Sequence, residues 1–119
     1  LPDLTKPEIN VDTLATESTV AGEIDTSTAS PPVVVLTPPS GKRIDTRGVY
    51  LIIDSDAGEV WVEFKNGGQV VAKTYLSRKK YIDMPKVRFQ GDVDDSLQVN
   101  WSGLSSGAKI FYVIAYKIV

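Results

Sequence analysis

The sequence predicts an all-β fold, an antiparallel sandwich or barrel, and three observations predict it. Short runs alternating apolar and polar residues follow one another from Thr37 to the end. Turn residues punctuate those runs at regular intervals. No stretch carries apolar residues at helical spacing. A chain of 119 residues allows one domain.

The strands follow in order. Val33–Leu36 is a short β-branched run stopped by Pro38-Pro39, and Ser40-Gly41 is a turn. Lys42–Asp45 and Gly48–Asp54 come next as two strands split by Thr46-Arg47. In the second, Val49, Leu51 and Ile53 face one way and Tyr50 and Ile52 the other. Residues 54–58 form a hairpin loop in which Gly58 takes φ > 0. Glu59–Lys65 alternates cleanly, with Val60, Val62 and Phe64 inward and Trp61 on the charged face beside Glu59 and Glu63. Asn66-Gly67 is the strongest short hairpin signal, and Val70–Tyr75 returns. Lys79–Ile82 and Lys86–Gln90 flank Met84-Pro85, and Gly91–Asp95 is an acidic turn. Leu97, Val99 and Trp101 share one face, which makes Trp101 a core residue. Lys109–Ile118 closes the chain as its longest strand. No internal repeat points to a propeller or solenoid.

The domain organisation reads as an extended N-terminal arm, residues 1–36, and a β-sandwich domain, residues 37–119. All ten aromatics lie at or after Tyr50, and six of the seven prolines at or before Pro39. Residues 1–36 carry one lysine and six acids, a balance of −5; residues 37–119 balance at +3. The apolar residues Leu4, Ile9, Val11, Leu14, Val20 and Ile24 fit neither a helical nor a strand period. Such a segment is either a linker or an arm that orders against a partner, and in the second case those six side chains are its expected contacts.

The last strand is apolar on both faces. Ile110, Tyr112, Ile114, Tyr116 and Ile118 line one side, and Phe111, Val113, Ala115 and Val119 the other. A sandwich strand ordinarily shows one face to water, so either residues 1–36 or, the favoured expectation, a second subunit covers the extra face. Trp61, Ile110, Tyr112 and Ile114 are the expected subunit-interface residues.

Chemistry has little to work with. The chain has no histidine and no cysteine, which excludes Ser-His-Asp and Cys-His apparatus and ordinary zinc or iron–sulfur sites. A net charge of −2 gives no global attraction to nucleic acid or an anionic membrane, and neither is an expected partner. The longest apolar run, Ile110–Tyr116, is far too short to span a bilayer, and no charged-then-apolar leader opens the sequence, so no signal peptide is expected. The Asp54-x-Asp56-x-Gly58 pattern departs from a calcium loop because its glycine comes one position early. Asp92, Asp94 and Asp95 read as turn formers. No catalytic residue, cofactor or metal site is expected, and the chain reads as a non-enzyme.

One pattern is familiar. Thr37-Pro-Pro-Ser-Gly-Lys-Arg-Ile44 leads into Gly48-Val-Tyr-Leu-Ile-Ile53, and later come Gly91-Asp-Val-Asp-Asp-Ser-Leu-Gln-Val-Asn-Trp-Ser-Gly103 and Val113-Ile-Ala-Tyr-Lys-Ile-Val119. These runs resemble the strands and turns of small jelly-roll virion proteins of tailed bacteriophages and related viruses. The resemblance implies an eight-stranded jelly-roll-like sandwich. It further implies a capsid decoration, or cement, protein on the virion exterior: a homotrimer that binds the major capsid protein through its arm and stabilises the shell. The alternative is a receptor- or carbohydrate-binding module of a tail tip, fibre or cell surface, using Trp61 and the tyrosines Tyr50, Tyr75 or Tyr81.

Overall fold

The computed structural model describes residues 16–119. Eight strands run β1 Ser18–Asp25, β2 Val33–Leu36, β3 Ile44–Ile53, β4 Glu59–Phe64, β5 Val70–Tyr75, β6 Tyr81–Met84, β7 Leu97–Ser102 and β8 Lys109–Ile118. They form two four-stranded sheets, ordered β1-β8-β3-β6 and β2-β7-β4-β5, and every pair is antiparallel. The chain changes sheet at each connection except the β4–β5 hairpin. That order is the double-sheet jelly roll expected from the resemblance.

Alternation decides what lies between the sheets. From the first sheet, Ile24, Ile44, Val49, Leu51, Ile53, Ile82, Ile110 and Ile114 point inward; from the second, Val60, Val62, Phe64, Ala72, Leu97, Val99 and Trp101 do. Trp101 is a core residue, as its shared face with Leu97 and Val99 requires. At roughly 25 cal/mol per Å² of apolar surface removed from water, this layer is the main stabilising term of the fold.

The turns read from sequence are where they were expected. Gly58 has φ +93° and packs against the Ser102–Gly103 backbone, so no side chain fits there. Asn66-Gly67 sits in the β4–β5 turn, where the Asp95 carboxylate accepts both backbone N–H groups at 2.8 and 2.9 Å. Asp94, at φ +65°, accepts the Gly41 N–H at 2.6 Å. These aspartates therefore bind the backbone of neighbouring loops rather than their own turn.

Three expectations are corrected. Lys42–Asp45 and Gly48–Asp54 are not two strands but the single strand β3, with Arg47 as a bulge between Thr46 and Gly48. Lys86–Gln90 is not a strand; its one β-bridge joins Gln90 to Asp45. The sandwich begins at Ser18, not at Thr37, because β1 and β2 each complete a sheet. The strand period of β1 was hidden by Gly22. Its inward positions are Val20, Gly22 and Ile24, and the middle one has no side chain. A Cβ at Gly22 would stand 2.6 Å from the Tyr112 hydroxyl oxygen and 2.9 Å from Cζ. The aromatic ring of β8 fills the place that a β1 side chain would otherwise occupy.

Candidate interaction surfaces

The outward residues of the two sheets form two surfaces of different chemistry. On the first sheet, cross-strand pairing lines up Glu23, Phe111, Ile52 and Tyr81 in one row. Ala21, Val113, Tyr50 and Asp83 make the next, and Thr19, Ala115 and Gly48 a third. Ile52 is 64% exposed, Tyr81 48%, Phe111 43% and Tyr50 37%, so the centre of this face is apolar and open to water. A hollow of about 420 Å³ lies among Tyr50, Ile52, Lys80, Tyr81 and Asp83.

At one end of this sheet the Asp45 carboxylate is buried. Its Oδ2 accepts from Arg47 Nη2 at 3.0 Å and from Arg88 Nη2 at 3.2 Å. Phe89 N–H donates to Thr46 Oγ1 at 2.9 Å, and Thr46 N–H donates to the Phe89 carbonyl at 2.8 Å. Together these contacts fasten the loop between β6 and β7 across β3. Removing one partner of a buried ion pair is strongly destabilising, so this cluster holds a loop in place.

The second sheet carries a polar and aromatic face. Trp61 Nε1 donates to Glu63 Oε1 at 2.9 Å, while Gln98 Nε2 and Asn100 Nδ2 donate to Oε2 at 2.7 and 3.1 Å. Partial burial pushes the Glu63 carboxyl up, but the Asn100, Gln98 and Trp61 donors outweigh it and hold the group below the usual carboxylate range. The Lys73 ammonium lies 5.0 Å from the ring centres of both Trp61 and Tyr75 and pairs with Glu59 at 2.6 Å. The Glu59 hydrogen bond leads the interactions that hold Lys73 above the ordinary lysine range. Trp61 is thus tied on its edge by Glu63 and met on its face by a lysine.

The expected contact residues fall in different places. Leu4, Ile9, Val11 and Leu14 lie outside the described residues. Val20 and Ile24 are on β1 and turn toward the chain's own core, Ile24 fully so. Ile110 and Ile114, expected at a subunit interface, are completely buried inside the sandwich, and Tyr112 packs against the same core beside Gly22. Ile110 and Ile114 cannot meet another subunit while the sandwich is closed. The face of β8 that reaches solvent is the other one, Phe111 and Val113. Alternation alone separated the two faces in sequence, but both are apolar, so only the position of the second sheet tells inside from outside.

Two further hollows lie at the loop ends. One of about 480 Å³ is lined by Thr26, Trp101 and residues 102–107, and one of about 220 Å³ by Asp54, Asp56, Lys80 and Ser105. The first offers hydroxyls and backbone groups but no ionisable side chain. In the second, Asp56 is held by Lys80, whose hydrogen bond keeps its carboxyl below the usual range. Among the described residues, no group of three carboxylates could hold a metal ion.

The sandwich is similar to a chain in a phage capsid. That chain belongs to the acidic stable capsid structure of Helicobacter pylori bacteriophage KHP30. The match has a TM-score of 0.65 and covers 88% of this chain and 92% of the phage chain. Sequence identity is 12%, so the likeness is one of fold. No protein-family model matches the sequence, and no curated protein matches it.

Proposed function

We propose that this chain is a structural virion protein, a capsid decoration protein that sits on the outer shell and stabilises it. The observation that carries this reading is the jelly-roll likeness to a chain of a phage capsid structure, which takes in most of both chains. The surfaces agree with such a role. The two sheet faces and the loop hollows offer contact area and fixed ion pairs rather than a nucleophile set beside a base.

The attachment element of the proposal is the segment ahead of β1. Leu4, Ile9, Val11 and Leu14 are its apolar contacts, and Asp3, Glu8 and Asp12 make it acidic. Several copies bound to one shell act multivalently, so weak single contacts sum to firm attachment. The major capsid protein is the proposed partner.

The test is binding to empty capsids of the cognate virus. Full-length protein is expected to cosediment with them and raise their melting temperature. Protein lacking residues 1–15 keeps the whole sandwich and is expected to lose binding. Absence of binding by the full chain, together with glycan binding that Trp61→Ala abolishes, would replace this reading with a carbohydrate-binding module.

A further inference from the structure

We propose that the outer face of the β1-β8-β3-β6 sheet is the docking surface for a second copy of this chain, packed face to face about a two-fold axis parallel to the strands. The proposal uses only residues of the sandwich and is independent of how the N-terminal segment attaches to a shell.

The first argument is composition. Antiparallel sheets that face water carry polar residues on their outer positions. Here the two central rows hold Phe111, Ile52, Val113 and Tyr50, with charge only at the ends, at Glu23 and Asp83. Ile52 and Phe111 stay 64% and 43% exposed although they are direct cross-strand neighbours. Four of the large hydrophobic side chains that the fold leaves in water, Tyr50, Ile52, Tyr81 and Phe111, are gathered on this one face. A contiguous apolar patch of this kind marks an interaction site.

The second argument is area. Strands of 8, 10, 10 and 4 residues, about 4.8 Å apart, give a flat footprint of roughly 500 Å². Two copies would bury about 1,000 Å² in total, the lower bound of a specific interface. Side-chain relief adds to that figure.

The third argument is charge, and it selects the axis. One rim of the face carries Glu23 on β1, and beside it Asp25 lies 4.0 Å from the Lys109 ammonium of β8. On the opposite rim Lys79 leads into β6, which itself carries Asp83, and the neighbouring Lys80 is held by Asp56. A two-fold axis lying across the strands would set β1 over β1 and bring acids together. An axis along the strands, between β8 and β3, sets β1 over β6 instead. Each row then meets its own reverse. Glu23 faces the other copy's Tyr81 and the Lys79 ammonium, which lies 4.7 Å from that ring. Phe111 faces Ile52, and Tyr50 faces Val113, so an aromatic ring meets an aliphatic side chain at each central contact. The surface is self-complementary, as an isologous interface requires. The result is a closed pair, in place of the trimer that the resemblance implies.

Light scattering and sedimentation equilibrium on the full chain, over micromolar to hundreds of micromolar concentration, test this. The expected mass at the upper end is twice that of the chain. Ile52→Lys introduces a charge at a position already in water and is expected to weaken dimerisation at least tenfold with an unchanged circular dichroism spectrum. Tyr81→Ser is the second variant, should Ile52→Lys fail to fold, and is expected to weaken the pair in the same direction. Glu23→Lys is expected to weaken it, and Glu23→Lys with Lys79→Glu to restore it. A monomer at every concentration would overturn the proposal. So would a dimer or trimer whose mass the folded Ile52→Lys or Tyr81→Ser protein retains.

Discussion

Whether β1 belongs to the chain's own sandwich can be read from the sign of a single substitution, Gly22→Ala. At an ordinary strand position this change is favourable by about 0.4–1 kcal/mol, because alanine loses less backbone freedom on folding. At Gly22 the new Cβ would lie 2.6, 2.9 and 3.2 Å from the Oη, Cζ and Cε1 atoms of Tyr112. Two of those distances are under 3.0 Å, so the ring must move. Tyr112 packs on the core in the inward row Gly22, Tyr112, Leu51 and Ile82, and shifting it strains or opens that row. Overpacking of this kind costs about 1–3 kcal/mol. Net of the backbone gain, Gly22→Ala is expected to destabilise by roughly 0.5–2 kcal/mol. Each kcal/mol lowers Tm by about 4–8 °C in a domain near this size. The assay is urea and thermal unfolding of wild type, Gly22→Ala, Tyr112→Leu and the double variant. Without the ring the alanine is expected to be neutral or favourable, which gives a coupling energy above about 0.5 kcal/mol. A Gly22→Ala protein more stable than wild type, with no coupling to position 112, would mean that β1 does not lie on β8, and the reasoning would fail.

Ile114→Ala is expected to destabilise the fold by about 2–5 kcal/mol, measured by urea unfolding, because Ile114 is fully buried. The loss should be the same at every protein concentration, since the side chain faces the chain's own core. Asp45→Ala removes the carboxylate shared by Arg47 and Arg88. A loss of about 2–4 kcal/mol is expected, below the full value for a buried pair because Arg88 is half in solvent, and proteolysis should become faster between β6 and β7. Glu63 gives a pH signature. Its folded carboxyl is held below the ordinary 4.5, so its stabilising contribution is complete above that value and is lost as pH falls through the lower folded value. The urea-midpoint difference between wild type and Glu63→Gln is therefore expected to be level from neutral pH to about 5 and to shrink in more acidic solution. A difference that grows on acidification would contradict the hydrogen-bonded site.

Most strands were legible because their signal is local. Glu59–Phe64 alternates with a period of two, and a pleated backbone sends alternate side chains to opposite faces whatever surrounds it. The turns at Gly58 and Asn66-Gly67 were equally legible, since a positive φ or a tight hairpin is a property of a few adjacent residues. The strand β1 was not, because its inward period is broken at Gly22 by a ring supplied from 90 residues further on. The bulge at Arg47 was read as a break for a related reason: an extra residue reverses the alternation, and only the unbroken pairing to β8 shows one strand.

The interaction residues divide along the same line. By itself the sequence determined that β8 is apolar on both faces, that the fold is all-β and antiparallel, and that histidine or cysteine chemistry is absent. It could not determine which face of β8 is the interior. Ile110 and Ile114 are no more hydrophobic than Phe111 and Val113 in any way that marks them for the core. The choice belongs to the second sheet, which covers one face at about 10 Å and leaves the other in water, and sheet packing is a contact between residues far apart in the chain.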